Sequence, residues 1–175
     1  MVPDLDLQLQ VVIKALKDTV MSAVDPAHRV ALEQLGLSIA TLAMVRERLP
    51  LAALREWQDL ADAIALGRAA SAEASSTMLE QAIGEGAALL DDARPTPGAR
   101  NAATRAILSA VSVAVREAED DATALMRAVV EASRPALDLA RAWGKSAGFE
   151  PDPDEVPELA TLLTGATGER RTGAR

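Results

Sequence analysis

A run of apolar and small residues between Thr104 and Ala132 constrains the fold more than any other feature of the chain. Within this run, such residues recur at alternating steps of four and three, at positions 104, 108, 111, 115, 118, 122, 125, 129 and 132. This spacing places them on one face of an α-helix and is typical of a coiled-coil seam. The sequence therefore predicts a single helix about 50 Å long, because each helical residue adds about 1.5 Å.

Composition extends the helical prediction to the rest of the chain. Aromatic residues make up only 2% of the sequence, and the valines and isoleucines lie within helical patterns rather than strand-like alternation. The connections between the apolar patterns are short, which favours antiparallel neighbours. We therefore predict an all-α fold, a mainly antiparallel helical bundle of about five long helices plus two short C-terminal helices.

Turn signals divide the chain into these helices, and apolar content defines the extent of the domain. Residues 1–164 are predicted to form a single helical-bundle domain, whereas 165–175 have lost nearly all apolar residues and are predicted to be a disordered tail. The stretch 69–76, rich in small residues, is expected to be a loop. The predicted helices cover 5–24, 26–48, 51–70, 77–93, the long seam up to Pro135, a segment ending near Ser146, and 155–164.

The second and third predicted helices carry the most distinctive side-chain patterns. The second is apolar nearly all round between residues 35 and 45, so it is expected to be central in the bundle. Its polar residues Gln34, Ser38 and Thr41 allow two interpretations. Either the hydroxyls bond to carbonyls four residues earlier and Gln34 reaches the surface, or the three form a polar patch in a pocket or subunit interface. In the third helix, Arg55, Asp59 and Asp62 are expected to face solvent.

Several chemistries are disfavoured by composition. A net charge of −8 and a pI near 4.7 argue against binding to nucleic acid or an anionic membrane. The chain has no cysteine and a single histidine, His28. No glutamate stands three residues before His28, as a di-iron motif requires. A zinc site normally needs several histidine or cysteine ligands, and one histidine cannot supply them. We interpret His28 as a solvated residue at a helix start. The sequence thus predicts no metal, no cofactor and no catalytic residues.

The cellular location is predicted from the hydropathy of the sequence, and its source from the amino-acid usage. The N-terminal residues lack the basic and apolar regions of a signal peptide, and the longest nearly apolar stretch, 35–45, is too short to span a bilayer. We therefore expect a cytoplasmic protein. Heavy use of Ala, Arg and Asp is typical of a GC-rich bacterial genome.

The leading functional hypothesis is a non-catalytic helical interaction protein, acting as an accessory subunit, an adaptor or a self-associating scaffold. It rests on the missing catalytic constellations and on the long seam. A helix of about 50 Å would outreach its neighbours and offer its apolar face to a second chain, giving a dimer or a complex with another protein. The predicted interface residues are Leu108, Val111, Val115, Ala118, Ala122, Leu125 and Val129.

The alternative hypothesis is a helical-bundle enzyme or small-molecule-binding protein. Arg29, Arg46 and Arg48 lie on the second predicted helix and could hold an acidic ligand in an arginine-lined pocket. The Gln34, Ser38 and Thr41 stripe would then orient that ligand.

Overall fold

The computed structural model describes residues 4–118, 122–148 and 150–168, and this part of the chain is all-α, as the sequence predicts. No strand occurs among the described residues. The helices are α1 Leu5–Ala15, α2 Met21–Ala23, α3 Arg29–Arg48, α4 Ala52–Glu73, α5 Thr77–Asp91, α6 Ala99–Glu117, α7 Thr123–Ala132, α8 Arg134–Gly144 and α9 Leu159–Gly168.

Packing divides the chain into two compact units. The hairpin unit contains α1, α2 and α3 together with the short 3₁₀ turn Lys145–Ala147. The core unit contains α4 from Ala53 onward, α5, α6, α7, α8 up to Trp143, and α9. The single domain predicted for residues 1–164 stays a prediction.

In the hairpin unit, α1 packs against α3. The Asp4 carboxylate caps α1 by accepting from the Asp6 amide at 3.3 Å, and a π-helical turn, Leu16–Val20, joins α1 to α2. α3 begins three residues later than expected. The reason is local: Asp25 accepts from the Ala27 amide at 2.9 Å and so closes a turn rather than capping a helix that starts at residue 26.

α3 is not the central helix that its apolar composition predicts. Ile39 is its one buried residue, whereas Val30, Leu37 and Val45 are 71%, 45% and 42% exposed. The physical reason is that α1 covers only one side of α3 within this unit. Apolar composition indicated burial, but the hairpin unit does not have enough helices to surround α3.

The core unit is built around α4, which contributes Leu60, Ile64 and Ala70 to the buried cluster. Two glycines let neighbouring helices approach closely. A Cβ atom at Gly86 would lie 2.9 Å from Ile107 Cδ1, and one at Gly67 would lie 3.0 Å from Ile83 Cγ1. These positions therefore bring the backbones of α4, α5 and α6 closer than larger residues would permit.

The junction between α4 and α5 differs from the expected loop at 69–76. α4 continues to Glu73 because Ala70 is fully buried in the core, so packing extends the helix through the small residues. Ser76 then caps α5, its hydroxyl accepting from the Leu79 amide at 3.3 Å. Ser76 therefore caps a helix that begins at Thr77, the residue at which the sequence predicts its start.

The predicted 50-Å helix is not a single helix. α6 ends at Glu117, and Ala118 takes an extended conformation with φ −65° and ψ 123°. Residues 119–121 lie outside the described residues, and α7 begins at Thr123. Val111 of α6 and Leu125 of α7 both belong to the buried cluster. The break at Ala118 therefore lets both halves pack against one cluster built on α4, whose 22 residues span about 33 Å.

The end of the chain packs through its aliphatic residues. Val156, Leu159 and Leu163 are buried. α9 runs to Gly168, four residues past the predicted end, and residues 169–175 of the predicted tail lie outside the described residues.

Candidate functional site

The residues of the predicted polar stripe are all exposed on α3. The Ser38 hydroxyl donates to the Gln34 carbonyl at 2.8 Å, and the Thr41 hydroxyl donates to the Leu37 carbonyl at 2.9 Å. This is the arrangement of the first interpretation, in which the hydroxyls bond within the helix and Gln34 reaches the surface. The helix itself therefore satisfies both hydroxyl donors.

The exposed aliphatic residues of α3 share the face of these polar residues. Their positions follow helical steps of three, four and seven, which place all of them on one side. We call this set the α3 stripe. It contains Val30, Gln34, Leu37, Ser38, Thr41 and Val45.

The α3 stripe carries no charged side chain, and sequence reasoning missed its mixed character. From the sequence, the polar residues Gln34, Ser38 and Thr41 were grouped without the aliphatic residues that share their face. The heptad separation of Val30 from Leu37, and of Gln34 from Thr41, is the signal that could have joined them.

The three arginines predicted to clamp an acidic ligand are not gathered into one pocket. Arg46 binds Asp6 through two hydrogen bonds, Nε to Oδ1 at 2.7 Å and Nη2 to Oδ2 at 3.0 Å. The hydrogen bond from Arg46 lowers the pKa of the Asp6 carboxyl. Arg48 donates to Glu47 at 3.0 Å and to the Ser146 hydroxyl at 3.2 Å. Arg29 is exposed at the first turn of α3.

A shallow groove of about 500 Å³ in the hairpin unit includes Arg46. Lys17 lines it too, but so do Asp6 and Glu47. The four side chains carry two charges of each sign, so the groove has no positive excess for an acidic ligand.

The seam residues mainly serve the core unit. Val111 and Leu125 are buried in its cluster, and Val115, Ala118 and Val129 pack against that cluster. Ala122 is half-buried and Leu108 is exposed. Because most of this face packs on the protein's own helices, we do not propose it as an interface.

The core unit contains a pocket of about 310 Å³ between α4, α6, α7 and α8, which we call the core-unit pocket. Its lining contains equal numbers of apolar and polar residues. The apolar residues are Ala63, Leu66, Leu108, Ala132 and Ala136, and the polar residues are Arg55, Asp59, Asp62, Thr104 and Ser133.

The charged groups of this pocket are held in fixed positions. Arg55 Nε donates to both carboxylate oxygens of Asp59, at 2.7 and 2.9 Å, and the Arg55 guanidinium lies 5.0 Å from the Trp143 ring centroid. Asp62 Oδ1 accepts from Gln58 Nε2 at 2.8 Å. Burial raises the pKa of Asp62 and outweighs the lowering effect of the Gln58 hydrogen bond.

Sequence reasoning missed this pocket because it expected Arg55, Asp59 and Asp62 to face solvent. All three are half-buried. The four-residue separation of Arg55 and Asp59 signals an ion pair. The pocket also needs Thr104 and Ser133, which lie outside α4. No local sequence pattern predicts that these residues line the same pocket as Asp62.

None of the described helices has the length and apolar character needed to cross a membrane. No group of three or more His, Cys, Asp or Glu side chains is arranged to hold a metal ion within the described part of the chain. Comparison of the chain with protein-family models, curated proteins and solved structures finds no match.

Proposed function

We propose that this chain is a self-associating helical interaction protein, and that the α3 stripe is its docking surface. The observation that supports this most is the exposure of three aliphatic side chains, Val30, Leu37 and Val45, on a helix face that carries no charged residue between positions 30 and 45. Removing apolar surface from water stabilises a complex by about 25 cal/mol per Å² before the costs of association.

The polar members of the stripe do not oppose its burial. The Ser38 and Thr41 hydroxyl protons already bond to backbone carbonyls. A partner can therefore cover them without leaving an unsatisfied donor, which would cost about 1–3 kcal/mol. Only the Gln34 amide needs a new hydrogen-bond partner.

The occupant we propose is a second copy of this chain, with the two α3 helices antiparallel. A two-fold interface uses the same surface on both subunits, so that surface must be complementary to itself when one copy is reversed. The α3 stripe has this property, with its midpoint between residues 37 and 38. The pairing sets Val30 against Val45, Gln34 against Thr41, and Leu37 against Ser38 of the second copy.

Sedimentation equilibrium on the full chain tests the surface. We expect a dimer for the wild type and a folded monomer for Leu37→Asp, because the introduced carboxylate would be buried at the centre of the interface. Val130→Asp is the matched control, since Val130 is an exposed aliphatic residue on α7 and outside the stripe. A monomeric wild type, or a Leu37→Asp dimer, would contradict the proposal. If the chain instead binds a different protein stoichiometrically, and Leu37→Asp releases it, the α3 stripe is a docking surface but its partner is not a second copy of this chain.

Arg46 and Arg48 have carboxylate partners, so we do not propose the arginine-lined pocket for an acidic ligand. The cytoplasmic location and the bacterial origin remain predictions from the sequence.

A further inference from the structure

We propose that the core-unit pocket binds a small organic cation, with its ammonium group at Asp62 and its aliphatic body against Leu66, Leu108 and Ala136. This site is independent of the α3 stripe and would add ligand binding to self-association. Its volume of about 310 Å³ lies at the lower end of the range for ligand pockets, about 300–1,000 Å³. A body of only a few carbon atoms matches that space.

The charges lining the pocket favour a cation over an anion. Arg55 is the single cation among the lining residues, and its Nε donates to both oxygens of Asp59. Asp62 has the neutral Gln58 amide as its hydrogen-bond donor. The described lining residues therefore carry one net negative charge, which attracts an ammonium group and repels a carboxylate.

The hydroxyl groups that line the pocket also fit an ammonium group. The Thr104 hydroxyl donates to the Arg100 carbonyl at 3.0 Å, and the Ser133 hydroxyl donates to the Val129 carbonyl at 2.7 Å. Both hydroxyl protons are used, so the two oxygens offer lone pairs to a ligand. Together with the Asp62 carboxylate they supply acceptors, and an ammonium group brings three donors and no acceptor.

Burial of the Asp62 carboxyl agrees with this assignment. The pKa of Asp62 is raised because the folded chain desolvates the charged form. A bound cation would add to the attraction that Asp62 already has from Arg55, whose Nε is hydrogen-bonded to Asp59.

A matched set of four-carbon probes tests the proposal on the full ¹⁵N-labelled chain. Butylammonium, 1-butanol and butyrate share a body and differ in the head group. In heteronuclear NMR titrations, we expect butylammonium to shift the amide signals of Asp62, Thr104 and Ser133 saturably, at about millimolar concentration for so small a ligand. 1-Butanol should bind about tenfold more weakly, and butyrate should not bind.

Two variants and a control identify the group that carries recognition. Asp62→Asn keeps the side-chain shape and should weaken butylammonium binding about tenfold or more. Ala136→Leu narrows the pocket and should also weaken it, while Asp91→Asn, an exposed carboxylate on α5, should change nothing. The proposal is overturned if 1-butanol binds as tightly as butylammonium, if Asp62→Asn leaves the affinity unchanged, or if no probe gives saturable shifts. Tighter binding of butyrate would assign recognition to Arg55 instead.

Discussion

Gly84 and Gly86 stand two residues apart in α5 but differ in what surrounds them. A Cβ atom at Gly84 meets nothing within 4 Å, whereas one at Gly86 lies 2.9 Å from Ile107 Cδ1 and 3.3 Å from Leu60 Cδ1. Both glycines have the same entropic cost in a helix, about 1 kcal/mol relative to alanine. Only Gly86 offsets that cost, because its missing side chain lets α5 approach the buried cluster.

Alanine substitutions should separate the two positions. We expect Gly84→Ala to raise the free energy of unfolding by about 1 kcal/mol, through helix propensity alone. Gly86→Ala should be neutral or destabilising by up to about 2 kcal/mol, because Ile107 must shift in a packed core. Urea denaturation of the wild type and both variants measures the difference. Equal stabilisation by both changes would show that α5 does not depend on close approach at Gly86.

At the scale of elements, periodicity predicted where apolar faces lie better than it predicted where helices end. The step pattern from Thr104 to Ala132 correctly places Val111 and Leu125 on inward faces, and it misses the break at Ala118. Neither proline nor glycine occurs between residues 104 and 132, so nothing local signals an interruption. Conversely, the small residues after Ala69 weaken the local helix signal, and burial of Ala70 keeps the helix intact.

The seam provides a second test, in which neighbouring residues of α7 serve as target and control. Leu125 is 3% exposed and Met126 is 49% exposed. Leu125→Ala should lower the free energy of unfolding by about 2–5 kcal/mol, because it leaves a cavity in the core. Met126→Ala should change it by less than about 0.5 kcal/mol. Thermal and urea unfolding measure both. A Leu125→Ala protein with unchanged stability but impaired association would instead make this face an interface.

At the scale of the whole molecule, the two candidate sites differ in how far sequence alone could reveal them. The α3 stripe lies on one helix, so spacing already contained it, and only the exposure of Val30, Leu37 and Val45 was needed to recognise it. The core-unit pocket draws on four helices, and its polar lining includes Asp62, Thr104 and Ser133, which are far apart in the sequence. Such a meeting is set by tertiary packing, which composition and helical periodicity do not specify.

Burial is divided unequally between the two units, and this division predicts local stability. Among the described residues, Ile39 is the one buried hydrophobic residue of the hairpin unit, whereas α4, α5 and α6 supply most of the buried cluster of the core unit. Segments with few buried apolar contacts open at low free-energy cost. Hydrogen exchange should therefore be slowest in α4, α5 and α6 and faster in α1 and α3.

The same measurement connects local stability with self-association. A partner that binds only the folded hairpin unit stabilises it by mass action, so exchange in α3 should slow as protein concentration rises. α1 should follow, because it packs on α3. Exchange in α4 should stay constant, and Leu37→Asp should abolish the concentration dependence in α3. Equal protection of both units at every protein concentration would contradict both the unequal stability and the dimer. If the two units differ in protection but the protection of α3 does not change with protein concentration, the dimer alone is contradicted.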